Sequence, residues 1–200
     1  MHSGCRITVE EAFELVASDR EFYYISKGGV TLSGGEPLLQ TDFCVALLEK
    51  LHAEKIHTAL DTCGAVPWEA FERVLPSTDL VLYDIKAITP ELHRACTGMK
   101  NEEILENLRR LNVAGVPVEV RIPLFPGVND FDGEIKKMGV FFDTLCHGPT
   151  SVRLLRGHAL ARSKYAALGL PDTIPAVPEN SDSFTRAAAI LTRHRVKLVD

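Results

Sequence analysis

The stretch Gly28-Gly29-Val30-Thr31-Leu32-Ser33-Gly34-Gly35-Glu36-Pro37 decides the fold class. Gly28-Gly29 breaks the chain, and Val30-Thr31-Leu32 is short and β-prone. Ser33-Gly34-Gly35-Glu36-Pro37 then forms a loop. Residues 41–53 return to helical period, with Phe43, Ala46, Leu47 and Leu51 on one side. The unit is a strand, a polar loop and a helix.

Working outward, the same unit recurs. Upstream, Thr8-Val9-Glu10-Glu11 reads as a capping box that opens a helix through Ala17, with Val9, Ala12, Phe13 and Val16 at helical spacing. Downstream, Ile56–Leu60 is a second strand ending in Asp61-Thr62-Cys63-Gly64. Pro67 suits the first turn of a helix that ends near Leu75. Leu80–Tyr83 is a third strand, followed by Asp84-Ile85-Lys86. Thr89-Pro90 starts a short helix, and Asn101 caps another whose stripe is Ile104, Leu105, Leu108 and Leu111. Val116–Leu124 is a fourth strand, closed by a Pro126-Gly127 turn, and a helix follows over residues 131–145. Ser151–Leu155 is a fifth strand, followed by a long loop with His158. A last helix near 181–193 leads to Val196–Val199, a candidate final strand. The alternation predicts right-handed βαβ units and a parallel sheet. The strands read mostly as continuous apolar runs, as expected when helices cover both faces or the sheet curls into a barrel. Without a linker, repeat or low-complexity tract, residues 1–200 read as a single domain.

Composition narrows the function classes. Apolar residues make up 46% and charged residues 24%, which is ordinary globular composition. The net charge of −5 with no basic cluster argues against a nucleic-acid partner. No apolar run approaches the roughly 20 residues of a membrane helix, and no signal-peptide core precedes Cys5. The five cysteines, at 5, 44, 63, 96 and 146, lack the close spacing of a zinc knuckle or an iron–sulfur loop.

Each β-rich run ends, at its C-terminal edge, in small or polar residues: Ser33-Gly34-Gly35-Glu36, Asp61-Thr62, Asp84 with Lys86, Arg121, and His158 beyond the fifth strand. Ligands bind at that edge in barrels and open α/β sheets. Taken singly, the glycines suit a turn, the aspartates helix caps, and the lysine and histidine the surface. Arg121 inside a strand is harder to dismiss, because burying it unpaired costs several kcal/mol. Leu32–Glu36 also resembles the signature loop of ATP-binding cassette proteins, but no G-x-x-x-x-G-K-[ST] phosphate loop accompanies it.

The blocks together resemble a family. Gly28–Gln40, Ile56–Gly64, Asp79–Lys86, Arg121-Ile122-Pro123-Leu124 with Pro126–Asp130, and Ser163-Lys164-Tyr165 with Leu168-Gly169 follow one another as in the glycyl radical enzyme activating enzymes. These are radical S-adenosylmethionine proteins, of which pyruvate formate-lyase activating enzyme is the best-known member. The resemblance implies a partial (β/α)6 barrel that binds S-adenosylmethionine at the strand C-terminal mouth. It implies that the Gly34-Gly35-Glu36 backbone, assisted by Asp61, holds the methionine amino group. Lys86 and His158 would meet the carboxylate, and Asp84 with Ile85 would line the same pocket. Asp61, Thr62 and Asp84 would bound a monovalent cation, and Arg121 would sit deeper, toward the substrate. The partner would be a glycyl radical enzyme.

Two departures qualify what the resemblance implies. The family ligates a [4Fe–4S] cluster through C-x-x-x-C-x-x-C after its first strand, and its reduction cleaves S-adenosylmethionine to a 5′-deoxyadenosyl radical. No such motif occurs here, and the residues before Thr8 resemble the segment that follows the cluster loop. The chain is therefore expected to start after the first strand, to ligate no cluster and to be inactive alone. The alternative is a cluster-less module that binds S-adenosylmethionine or the partner. The open sheet edge left by a missing strand is expected to make the isolated chain self-associate. The second departure is Arg156-Gly157 before His158, where relatives usually carry Pro-Tyr. The oxygen-sensitive chemistry of the family and the missing signals point to a reducing cytoplasm.

Overall fold

The structure, a computed structural model, describes residues 5–157, 162–167, 169, 171 and 182–199. Helix α1 (Val9–Ala17) opens on the expected capping box: the Glu11 N–H donates to Thr8 Oγ1 at 3.1 Å, and the Thr8 N–H to Glu11 Oε2 at 2.8 Å. Helix α2 (Arg20–Ser26) stands where the sequence reading placed no element. None of its residues is fully buried, and Phe22, Tyr24 and Ile25 are exposed, so it lacks the one-sided stripe that marks an amphipathic helix.

Among the described residues six strands follow, all parallel and in simple sequential order: β1 (Gly29–Leu32), β2 (His57–Thr62), β3 (Leu80–Asp84), β4 (Val118–Leu124), β5 (Ser151–Arg156) and β6 (Leu198–Val199). This is the α/β architecture that the alternation implies, with the candidate final strand present as the two-residue β6. The crossovers are made by α3 (Thr41–Ala53), α4 (Trp68–Val74), α5 (Pro90–Thr97) with α6 (Glu102–Val113), α7 (Asp132–Asp143), and α8 (Arg162–Ala167) with α9 (Ser183–Leu191).

The register sorts the strands into two faces. One row runs Leu32–Leu60–Val81–Val118, and the next Thr62–Tyr83–Val120–Val152. All eight are buried, packed with Leu48, Leu51, Phe71, Leu108, Leu111 and Phe142 from the helices. At about 1.5–3 kcal/mol for each large apolar side chain buried, this face supplies the main driving force for folding. The opposite face carries the rows Asp61–Leu82–Glu119–Ser151 and Asp84–Arg121–Arg153, all only half-buried.

The strands are therefore not continuous apolar runs. β4 alternates strictly, with Val118, Val120, Ile122 and Leu124 buried and Glu119, Arg121 and Pro123 on the open face. β2 also extends past Leu60 to include Asp61 and Thr62. Asn101 precedes α6 as expected but makes no side-chain cap; its Nδ2 donates instead to the carbonyls of Ala87 and Ile88, at 3.0 and 2.8 Å.

Candidate functional site

The open face ends in a cluster of four charges. Asp61 is the penultimate residue of β2, Asp84 closes β3, Arg121 lies beside Asp84 in the register of β4, and Lys86 follows β3 by two residues. The Arg121 guanidinium bonds the Asp61 carboxylate directly, and its Nε donates to Asp84 Oδ1 at 3.1 Å. Lys86 Nζ stands 3.3 Å from Asp84 Oδ2. Ser33 Oγ, at the end of β1, donates to Asp61 Oδ2 at 2.9 Å. The Arg121, Asp61 and Asp84 side chains keep 19%, 21% and 23% of their surface exposed, so a solute can reach them. Arg121 does not stand apart from the aspartates; it is the group that joins them.

A second pair lies one register step below. Arg153 grips Glu119 with Nε and a terminal nitrogen at 2.8 and 3.3 Å, and Ser151 Oγ donates at 3.2 Å. The Arg153 bonds outweigh burial and hold the Glu119 carboxyl below its ordinary value. The sequence reading missed Glu119 and Arg153. The signal was the alternation Val118-Glu119-Val120-Arg121 and Ser151-Val152-Arg153, which sets polar residues on the face that Arg121 occupies.

The Ser33–Glu36 loop is fixed by its glutamate. Glu36 Oε1 accepts from Thr62 Oγ1 at 2.8 Å and the Leu38 N–H at 3.2 Å, and Oε2 from the Cys63 N–H at 3.0 Å. The Glu36 side chain thus pins the loop to the end of β2. Gly34 and Gly35 face open space, because a Cβ on either would meet no atom within 4 Å. Burial, reinforced by Glu36, pushes the Cys63 thiol up, disfavouring the thiolate. The Ile85 side chain belongs to the core, at 1% exposure, and its N–H donates to the Arg121 carbonyl at 2.9 Å.

Of the expected site residues, the structure brings Asp61, Asp84, Lys86 and Arg121 into contact and sets the Ser33–Glu36 loop beside them. Thr62 faces Glu36. His158 lies outside the described residues. Gly157 before it is buried: its N–H donates to the Leu124 carbonyl at 2.8 Å, and a Cβ would lie 2.6 Å from the Phe125 ring. Phe125 fills the space that a side chain at 157 would take, which accounts locally for glycine there.

The cluster can serve a zwitterion, since it offers carboxylate acceptors beside a primary ammonium and a guanidinium. It does not suit an iron–sulfur cluster. Among the described residues, no group of three or more His, Cys, Asp or Glu could hold a metal ion. Nor is any helix among them long and apolar enough to cross a membrane.

The chain is similar to known proteins. The model of the Radical SAM superfamily matches residues 6–138. The chain is 38% identical over 192 residues to the (2S)-3-sulfopropanediol dehydratase activating enzyme of Klebsiella oxytoca, covering 96% of this chain and 61% of that protein. It is 37% identical over 171 residues to the pyruvate formate-lyase-activating enzyme of Streptococcus mutans, covering 82% of this chain and 65% of that one. The chain thus spans roughly three fifths of the length of these curated relatives. A crystal structure of a domain of pyruvate-formate lyase-activating enzyme from Bacteroides vulgatus superposes with a TM-score of 0.72 at 31% identity, covering 86% of this chain and 98% of that one.

Proposed function

The chain belongs to the glycyl radical enzyme activating enzymes of the radical SAM superfamily, and we propose that its part in their reaction is to hold S-adenosylmethionine at the strand-end mouth. The observation that carries this reading is the meeting of Asp61, Asp84, Lys86 and Arg121 from three strand ends beside the Ser33–Glu36 loop. The methionine moiety presents an ammonium and a carboxylate. Asp61 and the exposed backbone of Gly34-Gly35-Glu36 accept from the ammonium. Lys86, with His158, donates to the carboxylate. Bound there, S-adenosylmethionine would supply the 5′-deoxyadenosyl group that takes a hydrogen atom from the partner, a glycyl radical enzyme, once a reduced [4Fe–4S] cluster, which the described residues do not ligate, provides the electron.

Arg121 then has to share its carboxylates. The guanidinium neutralises Asp61 and Asp84 together, and an arriving ammonium competes for Asp61. A monovalent cation bounded by Asp61, Thr62 and Asp84 would make the same demand. Arg121, once released, turns toward the partner side of the mouth.

Calorimetry with S-adenosylmethionine tests the assignment. The chain should bind it, and Asp61→Ala and Lys86→Ala should each weaken binding about tenfold or more, the cost of one hydrogen bond to a charged group. No binding, or unchanged affinity in both variants, would remove these residues from the site.

The second reading is a module that binds S-adenosylmethionine or the partner without a cluster. Anaerobic incubation of the chain with iron, sulfide, reductant and S-adenosylmethionine tests an expectation that both readings share. No 5′-deoxyadenosine is expected from this chain alone. Its appearance above a protein-free control would exclude the module reading. We also expect the outer edge of β1, which pairs with β2 on one side, to recruit a further strand. A monomer by size-exclusion chromatography would refute that.

A further inference from the structure

Pro126-Gly127-Val128-Asn129-Asp130 reads in sequence as a turn that closes β4. In the structure its asparagine does more than turn the chain. Asn129 is 3% exposed, and its amide is fully used. Nδ2 donates to the Lys86 and Pro123 carbonyls, both at 2.8 Å, and Oδ1 accepts the Phe125 N–H at 2.8 Å. A primary amide has two donors and one carbonyl, and here each has a partner. Lys86 follows β3, which carries Asp84, and Pro123 lies in β4, which carries Arg121. One buried side chain therefore bridges the two strand ends that bring three of the four charges together.

The neighbouring residue faces the other way. Asp130 Oδ1 accepts the Gly127 N–H at 2.7 Å, and its Oδ2 takes the Ser183 hydroxyl and an Arg186 nitrogen from α9. Asn129-Asp130 thus joins the mouth to the helical layer behind it.

We propose that Asn129 is a positioning residue for Lys86, setting where its ammonium stands relative to Asp84 and to the carboxylate of a ligand. The proposal deepens the S-adenosylmethionine reading and rests on it for the identity of that ligand. Other groups hold the rest of the loop. Asn101 binds the Ala87 and Ile88 carbonyls, and Glu134 accepts the Ile88 and Thr89 N–H groups. These contacts hold the residues after Lys86, while Asn129 ties Lys86 itself to Pro123 and Phe125. Partners that orient metal ligands are worth about 10- to 100-fold in affinity, and the same order is expected for a group that orients Lys86.

Two variants and two readouts test this. Asn129→Asp keeps size and the acceptor for Phe125 but turns oxygen toward the Lys86 and Pro123 carbonyls. Asn129→Ala removes all three bonds. The first readout needs no ligand: the rate at which acetic anhydride modifies Lys86, measured by mass spectrometry. It should rise about two- to fivefold as Lys86 leaves Asp84, the range that partly exposed ion pairs control, while the other lysines keep their rates. The second is S-adenosylmethionine affinity in a cycle with Lys86→Ala. Asn129→Ala should weaken binding about tenfold in the parent and little once Lys86 is gone. An unchanged Lys86 rate in a folded variant overturns the proposal. So does equal loss with and without Lys86, which is what a purely structural residue gives, and so does failure of both variants to fold. If the parent chain binds no S-adenosylmethionine, the functional reading falls, while Lys86 reactivity still decides the positioning role.

Discussion

The two faces of the sheet come from the same strands, yet they are held by different physics. On the helix-covered face, Leu60, Val81, Tyr83, Val120, Ile122 and Val152 are excluded from water. On the open face, Asp61, Asp84, Glu119, Arg121 and Arg153 hold one another through hydrogen-bonded ion pairs. Adjacent residues of β4 fall on opposite sides of this division. Ile122 serves the core and Arg121 the mouth, one peptide apart. The lesson is that stability and chemistry are separated by the period of two, not by segment. A substitution should report on one or the other according to its parity.

The sharpest test is that neighbouring pair. Ile122→Ala opens a cavity in a fully buried site and should cost about 2–5 kcal/mol in urea unfolding. It should leave the open-face charges in place. Gly64→Ala probes the same face from its end. Gly64 has φ +73°, and an added Cβ would lie 1.8 Å from the hydroxyl of buried Tyr83, which donates to the Ile104 carbonyl at 2.7 Å. Overpacking and the left-handed backbone should together cost about 2–4 kcal/mol. Tyr83→Phe in the same chain should restore only a small part of that loss, because it removes the oxygen at 1.8 Å but leaves the ring carbon at 2.2 Å. No restoration would mean that the ring carbon and the left-handed backbone together set the cost.

Arg121→Ala should behave in the opposite way. Breaking a fully buried pair costs about 3–5 kcal/mol. Here the two aspartates are 21% and 23% exposed and Lys86 stays beside Asp84, so solvent brings the loss to about 1–2 kcal/mol. The larger effect should be on ligand binding. Urea midpoints that fall as far for Arg121→Ala as for Ile122→Ala would break the division between the faces.

Much of this was legible in the sequence because the informative residues sit at strand ends. Asp61, Asp84 and Lys86 stand where apolar runs stop, Arg121 is a charge inside a strand, and the strand–loop–helix period told which edge they share. The rest was hidden for identifiable reasons. Glu119 and Arg153 lie within strands, and a charge inside an apolar run gives no sign of its partner on the next strand. Helix α2 leaves Phe22, Tyr24 and Ile25 exposed, so no periodic stripe marks it. Asn129 binds the backbone carbonyls of Lys86 and Pro123, and a contact to main chain leaves no trace in the residue types of its partners.

The smallest expected effect is also the one that tells the faces apart by pH. Glu119 has its carboxyl held below the ordinary value, chiefly because Arg153 donates to it. A carboxylate lowered in the folded state stabilises above its unfolded value of about 4.3, and that contribution fades as pH falls through the folded value. Glu119→Gln should therefore cost at most about 1 kcal/mol at pH 7, as expected for a partly exposed pair. The difference from the parent should shrink from pH 7 toward an acid pH at which the parent's carboxyl is protonated. Ile122→Ala has no proton to lose, so its deficit should stay constant over the same range. Urea midpoints at the two pH values measure both variants. A Glu119→Gln deficit that persists in acid would show that residue 119 contributes by packing rather than by charge, and the open face would then be held, at its base, by the same forces as the covered one.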